Sequence, residues 1–296
     1  MEKKGFTLIE LLVVIAIIAL LLSILSPALD QVKRRARAAI CMGYERQFSL
    51  AFKMYVDNNN DSFWVEAPVG NHFGYWMWVA SNYYGNIDDL RLCPSAKRIT
   101  EDPSVDPQGG DDVAWKIPVE WGQHGFVDDP ERNYGSYGMN LWLGSIDKSL
   151  GPSALDGSSP ATWEGAPERH FEKITKVPRP STTPMLMDCT WWGTSGVAWD
   201  DPEYGAYGRV PPTRDYVGVM DGFSSEYWLY FMGRICLDRH NKAINVAFCD
   251  GSVSKVMLNE LWGLDWHLGY NRVSDVRIPW AGIGNPNVIC PGSEIK

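Results

Sequence analysis

A chain of 296 residues with 45% hydrophobic and 21% charged side chains has enough apolar material for one large or two small domains, which excludes wholesale disorder. Its 36 acidic against 27 basic residues give a net charge of -9 and disfavour a partner held through phosphate neutralisation, so nucleic acid is not expected. With 28 Gly, 19 Pro and 14 Trp, the chain beyond its first segment does not read as a helical bundle.

Phe6 to Ala28 is a 23-residue run with one charge, Glu10, and an uninterrupted apolar stretch from Leu11 to Leu22. That is long enough to cross a bilayer as a helix. A secretory signal would stop sooner and end in a small-residue cleavage site, whereas this run continues into a helical pattern. Glu10 demands a function, because a carboxylate in a membrane helix costs on the order of 2.5 to 3.5 kcal/mol. Beyond Pro27, which should kink or locally melt the helix, Leu29, Val32, Ala36, Phe48, Ala51, Phe52 and Tyr55 keep an approximate 3.6-residue repeat. From Phe6 to Val56 the helix would run 51 residues, roughly 75 Å, more than one membrane needs. The outer half, residues 29–57, is therefore expected to carry a head.

The helix should stop in Asp57-Asn58-Asn59-Asn60-Asp61, whose short polar side chains satisfy a terminating backbone. Asp57, Asn59 and Asp61 also have the alternate-residue oxygen spacing that opens a calcium loop, so calcium is a possible ligand. The continuation departs from such a loop, with Ser62 at the glycine position and Pro68 at the glutamate position. Five of the acidic and eight of the basic residues lie at or before Asp57, which leaves the head with 31 acidic against 19 basic residues. Solubility, or attraction of cations and basic partners, accounts for such a surface.

The Trp-rich stretches Phe73 to Trp78 and Trp191 to Trp199 suit irregular core more than an aromatic binding surface. Residues 101–172 are polar and turn-rich, as expected of long loops around a few strands. Arg239 to Val253 reads as a strand, a two-residue Asp250-Gly251 turn and a second strand, a hairpin over 240–257. Two roles are open for its polar residues. His240 and Asp250 could act as base and orienter, but no nucleophile stands in a recognisable context, so no enzyme is expected. Otherwise Asp250 serves the turn and His240 bonds nearby backbone. A metal site of His240, Asp250 and Asp188 lacks a ligand-spacing signature. Cysteines at 41, 93, 189, 236, 249 and 290 suit an oxidising compartment, and a Cys41 to Cys93 disulfide tying helix to head is the favoured pairing among 15 complete ones.

Gly5-Phe6-Thr7-Leu8-Ile9-Glu10-Leu11, after Met1-Glu2-Lys3-Lys4, resembles the processing site of type IV pilins and type II secretion pseudopilins. The resemblance implies that a prepilin peptidase removes residues 1–5 as a leader, cutting between Gly5 and Phe6 and methylating Phe6. It also implies that Glu10 pairs with the Phe6 amine of a neighbouring subunit, two costly charges neutralising each other. Lys33, Arg34, Arg35 and Arg37 outnumber Lys3 and Lys4, and counting alone favours the opposite orientation. The resemblance nonetheless implies that the head, residues 58–296, lies outside the cytoplasm in the periplasm, anchored by the single span 6–28 in the inner membrane.

His240 and Asp250-Gly251, with nine residues between them, resemble the H-X9-DG pattern of a subgroup of pseudopilin-like proteins, and Leu92 to Ser95, Ser136 to Asn140 and Pro178 to Asp188 support it. Together these imply an α+β lollipop, a long transmembrane helix continuing into an antiparallel sheet. They imply a filament subunit in type II secretion-like export, with identical or related subunits and an inner-membrane assembly platform as partners. The reading from a different class is a membrane-tethered carbohydrate- or protein-binding module with a Trp-rich head.

Overall fold

The computed structural model describes residues 7–63, 65–66, 75–85, 88–96, 98–99, 113–116, 134–146, 170–189, 193–194, 235, 238–270 and 272. Helix α1 (Leu8–Asn58) starts where sequence chemistry sets it. Thr7 is extended and caps the first turn, its hydroxyl accepting from the Glu10 N–H while the Glu10 carboxylate accepts from the Thr7 N–H. The helix runs unbroken through Pro27, so the expected local melting is absent. Apolar neighbours on both sides favour helix strongly enough to tolerate one missing backbone donor. It ends as expected: the Asn59 amide donates to the Tyr55 carbonyl, and Asn60 and Asp61 enter the left-handed region at φ 56° and 62°, which Asn and Asp tolerate best.

The helix has two environments. Residues 7–37 are all exposed, whereas Cys41, Glu45, Phe48, Ser49, Ala51, Phe52 and Val56 are buried at spacings that share one face. Phe48 sits at the centre of this contact, edge-on to Trp76 and Tyr84 with centroids 5.5 and 5.0 Å away. Both partners belong to helix α2 (Tyr75–Tyr84).

The other partner of α1 is a five-stranded sheet. In spatial order it contains β10 (Val253–Met257), β9 (Ala243–Phe248), β7 (Pro184–Asp188), β5 (Tyr137–Asn140) and β8 (Gly193–Thr194). The first four are mutually antiparallel and β8 joins parallel at the edge. The fold is α+β. Strands β5, β7 and β9 are buried at every position, which explains their near-continuous apolar composition. Two smaller pairings flank the sheet. One is β1 (Val65–Glu66) with β6 (Ser145–Ile146); the other combines β2 (Arg98–Ile99), β3 (Val113–Lys116) and β4 (Tyr134–Gly135).

The hairpin exists, but its turn differs from the two-residue form. Phe248 and Ser252 close the ladder, the Gly251 N–H donates to the Phe248 carbonyl at 2.9 Å, and only Gly251 of this loop has positive φ, at 88°. The loop is thus the three residues Cys249 to Gly251, a turn followed by a left-handed glycine. Asp250 does not adopt the second positive φ that the shorter turn needs. Its carboxylate instead accepts from the Ser252 N–H and hydroxyl.

Trp76, Trp115, Trp142 and Trp266 are all buried in the core. Most of 191–199 and of 101–172 lies outside the described residues.

Candidate functional site

Among the described residues, two places concentrate chemistry. At the N-terminus, the Glu10 carboxylate accepts from both the backbone N–H and the hydroxyl of Thr7, at 2.8 and 2.7 Å, and is open to its surroundings. Gly5 and Phe6, the expected processing residues, lie outside the described residues.

The second place is a buried cluster where four separate elements meet. Cys41 comes from the outer half of α1, and Cys93 from the segment after a short 3-10 turn at Asp88–Arg91. Asp188 ends β7, and His240 ends the 3-10 turn Asp238–His240 that leads into β9. One donor atom from each, the two Sγ, a carboxylate oxygen and a ring nitrogen, lies within 4.8 Å of the other three, a set able to hold a metal ion. His240 Nε2 is 3.1 Å from an Asp188 oxygen and 3.6 Å from Cys93 Sγ, and Cys41 Sγ is 3.7 Å from Asp188 Oδ1. The Tyr137 hydroxyl donates to Cys41 Sγ at 3.3 Å.

Asp188 is the hub. Its Oδ1 accepts from Arg239 Nη1 at 2.9 Å and its Oδ2 from the Asn245 N–H at 2.9 Å, all within the closed core. Arg239 is itself fixed on the Ser136 carbonyl. Asn245 also donates to the Ala38 carbonyl of α1, so strand β9 holds helix and carboxylate together. Burial opposes the charged Asp188 carboxylate, but the charges of His240 and Arg239 prevail and hold it well below the ordinary range. Burial likewise opposes charged His240, yet Asp188 lifts it to about 9. Cys41 is raised, chiefly by burial, and keeps its proton. Burial also works against a Cys93 thiolate, but hydrogen bonds from Cys41 and His240, with the Arg239 charge, bring it down to about 6. One turn beyond Cys41, Glu45 is fully buried with neither carboxylate oxygen hydrogen-bonded, and burial raises it strongly.

This arrangement revises several expectations. Cys41 and Cys93 are together, but as free thiols and not as a disulfide. His240 bonds Asp188 and Cys93 instead of backbone, because the 3-10 turn aims its ring inward. Asp250 cannot orient it: the length of β9, roughly 20 Å, lies between them. Of the three residues weighed for a metal, Asp188 and His240 meet and Asp250 does not. Cys236 and Cys290 lie outside the described residues. Asp57 faces Lys53 at 4.0 Å, and Asn59 and Asp61 serve the helix end. Sequence reading missed Arg239 and Glu45; for Glu45 a charged residue inside an apolar helix face was the available signal, and Arg239, within the polar run Asp238 to Lys242, gave none.

Comparison with known proteins bears on the first place. Residues 1–26 match the family described as the prokaryotic N-terminal methylation motif. A stretch of 60 residues is 47% identical to the type IV wide pilus major component PilA4 of Thermus thermophilus. Over this segment the chain is similar to type IV pilins. The similarity covers 20% of this chain and 46% of the relative, so the chain spans about half the length of the curated relative it matches. No solved structure matches the chain.

Proposed function

We propose that this pilin-like chain is a structural subunit of a pseudopilus or type IV pilus-like filament, serving type II secretion-like protein export. The observation that carries the reading is a methylation-motif N-terminus leading directly into a helix whose residues 7–37 are all exposed. Leu8, Ile9, Leu20, Leu21, Ile24 and Leu25 each expose 60% or more of their surface. An apolar surface of this extent needs a partner. The bilayer supplies it in the stored subunit, and neighbouring helices supply it in a filament.

The N-terminal geometry supports a maturation step. Thr7 keeps the Glu10 carboxylate satisfied within one chain. A prepilin peptidase cut between Gly5 and Phe6 creates an amine that can replace Thr7 as partner, from a neighbouring subunit. The head then stands on the periplasmic side, and the inner-membrane platform of the export machine receives the processed subunit. A tethered glycan binder has less support, since four tryptophans are consumed by the core.

Intact-mass and N-terminal analysis of the chain from its native membrane tests the proposal. A product beginning at methylated Phe6, recovered also in sheared fibres, is expected. A chain that retains Met1 to Gly5 would reduce the segment to an anchor.

A further inference from the structure

We propose that Cys41, Cys93, Asp188 and His240 form a closed, four-coordinate structural site for zinc. The inference is independent of the filament reading.

Spacing is the first argument. Zinc takes thiolate at about 2.3 Å, imidazole at about 2.05 Å and carboxylate at about 2.1 Å. A tetrahedron with those arms has edges of about 3.6 Å for sulfur to nitrogen or oxygen and about 3.4 Å for nitrogen to oxygen. The corresponding separations are 3.6 Å for Cys93 to His240, 3.9 Å for Cys41 to Asp188 Oδ2 and 3.1 Å for His240 to the same oxygen. All six edges are under 4.8 Å, so a cation at the centre requires shifts of a few tenths of an ångström on the three measured edges.

Direction is the second argument. If this were a Cys-His-Asp catalytic relay, the carboxylate would hold one ring nitrogen and the thiol would face the other. Here thiol and carboxylate both converge on Nε2, the pattern of ligands that share one centre. The cluster is also sealed: all four residues are buried, which suits a structural ion with no open position for substrate.

Charge is the third. A dication with two thiolates, one carboxylate and a neutral imidazole carries one excess negative charge, and the Arg239 guanidinium, 2.9 Å from Asp188, balances it. Arg239 and the Asn245 N–H are the outer partners that orient a ligating carboxylate. Glu45 adds an independent sign. Helix side chains lean toward the N-terminus, so its buried carboxyl, lacking any protein hydrogen bond, leans back toward Cys41 and the cluster. Among thiolate-containing tetrahedral sites with nitrogen and oxygen co-ligands, zinc is the common occupant.

The test uses the full-length chain purified in detergent from cells grown with zinc, without chelator. Elemental mass spectrometry should find one zinc per chain. Cys93→Ser and His240→Gln should each lower occupancy about tenfold or more, while Cys249→Ser, at the hairpin turn, retains it. Should the ligand variants fail to fold, the unmutated chain still decides. Exchange into cobalt(II) should give the intense visible bands of a tetrahedral centre with thiolate-to-cobalt charge transfer. Three results would overturn the proposal: no stoichiometric zinc, an octahedral cobalt spectrum, or a Cys41 to Cys93 disulfide in non-reducing peptide maps.

Discussion

At the scale of single residues, the Asp188 to Arg239 pair shows charge kept inside the core by a partner built for it. Asp188 and Arg239 are both wholly buried, and removing one leaves the other uncompensated. Asp188→Asn should therefore cost about 3 to 5 kcal/mol, read as a lowered urea midpoint with unchanged slope. His170 presents the opposite case. Burial, partly offset by the bond to the Gly144 carbonyl, lowers it to about 4 from an ordinary 6.5. Its folded form refuses a proton that the unfolded chain accepts, so stability is complete above about 6.5 and declines as pH falls toward 4. The loss should be on the order of 3 kcal/mol at most. His170→Gln should flatten that stretch of the stability profile; an unchanged acid limb in the variant would place the cause elsewhere.

Secondary-structure elements show how far local chemistry reaches. The helix stop at Asn58, the Thr7 cap and the paired strands of the hairpin are all written in adjacent residues, and the structure follows them. The hairpin loop is one residue longer than Asp250-Gly251 alone implies, because its type is decided by backbone sign, which sequence reports poorly. Gly251 is the position that needs left-handed backbone, and its surroundings leave room, with Ser49 Oγ 3.7 Å from the place a β-carbon would occupy. Gly251→Ala should thus cost about 1 to 2 kcal/mol through conformation alone, and Gly251→Asn less. Thermal unfolding of the two variants side by side separates this cause from crowding. Pro27 lies in the exposed half of α1, so Pro27→Ala should strengthen the helix by up to about 3 kcal/mol and leave the head unchanged. Circular dichroism in detergent with near-ultraviolet monitoring of the head distinguishes the two.

For the whole molecule, the N-terminal motif is more legible in the sequence than the buried cluster. A charge alone in an apolar run advertises itself, and Glu10 with Thr7 stands in one short motif. Cys41, Cys93, Asp188 and His240 have no such proximity: the pairs Cys41 to Asp188 and Cys93 to His240 are each 147 residues apart, and no spacing pattern survives that distance. Only the fold brings them together. Filament growth should depend on Glu10 without affecting the head. Glu10→Gln keeps the Thr7 hydrogen bonds nearly isosteric while removing the charge, and it should sharply reduce fibre number at normal expression and processing. Fibres of usual length and abundance would refute that dependence.

The division of α1 also has a mechanical meaning. In the proposed fibre, force along the helical shaft must pass into the globular part somewhere. The first rungs it meets are the Asn245 link to Ala38 and the Cys41 corner, well before the aromatic cushion around Phe48. Load therefore reaches the sheet first through Asn245 of β9 and through the Asp188 end of β7.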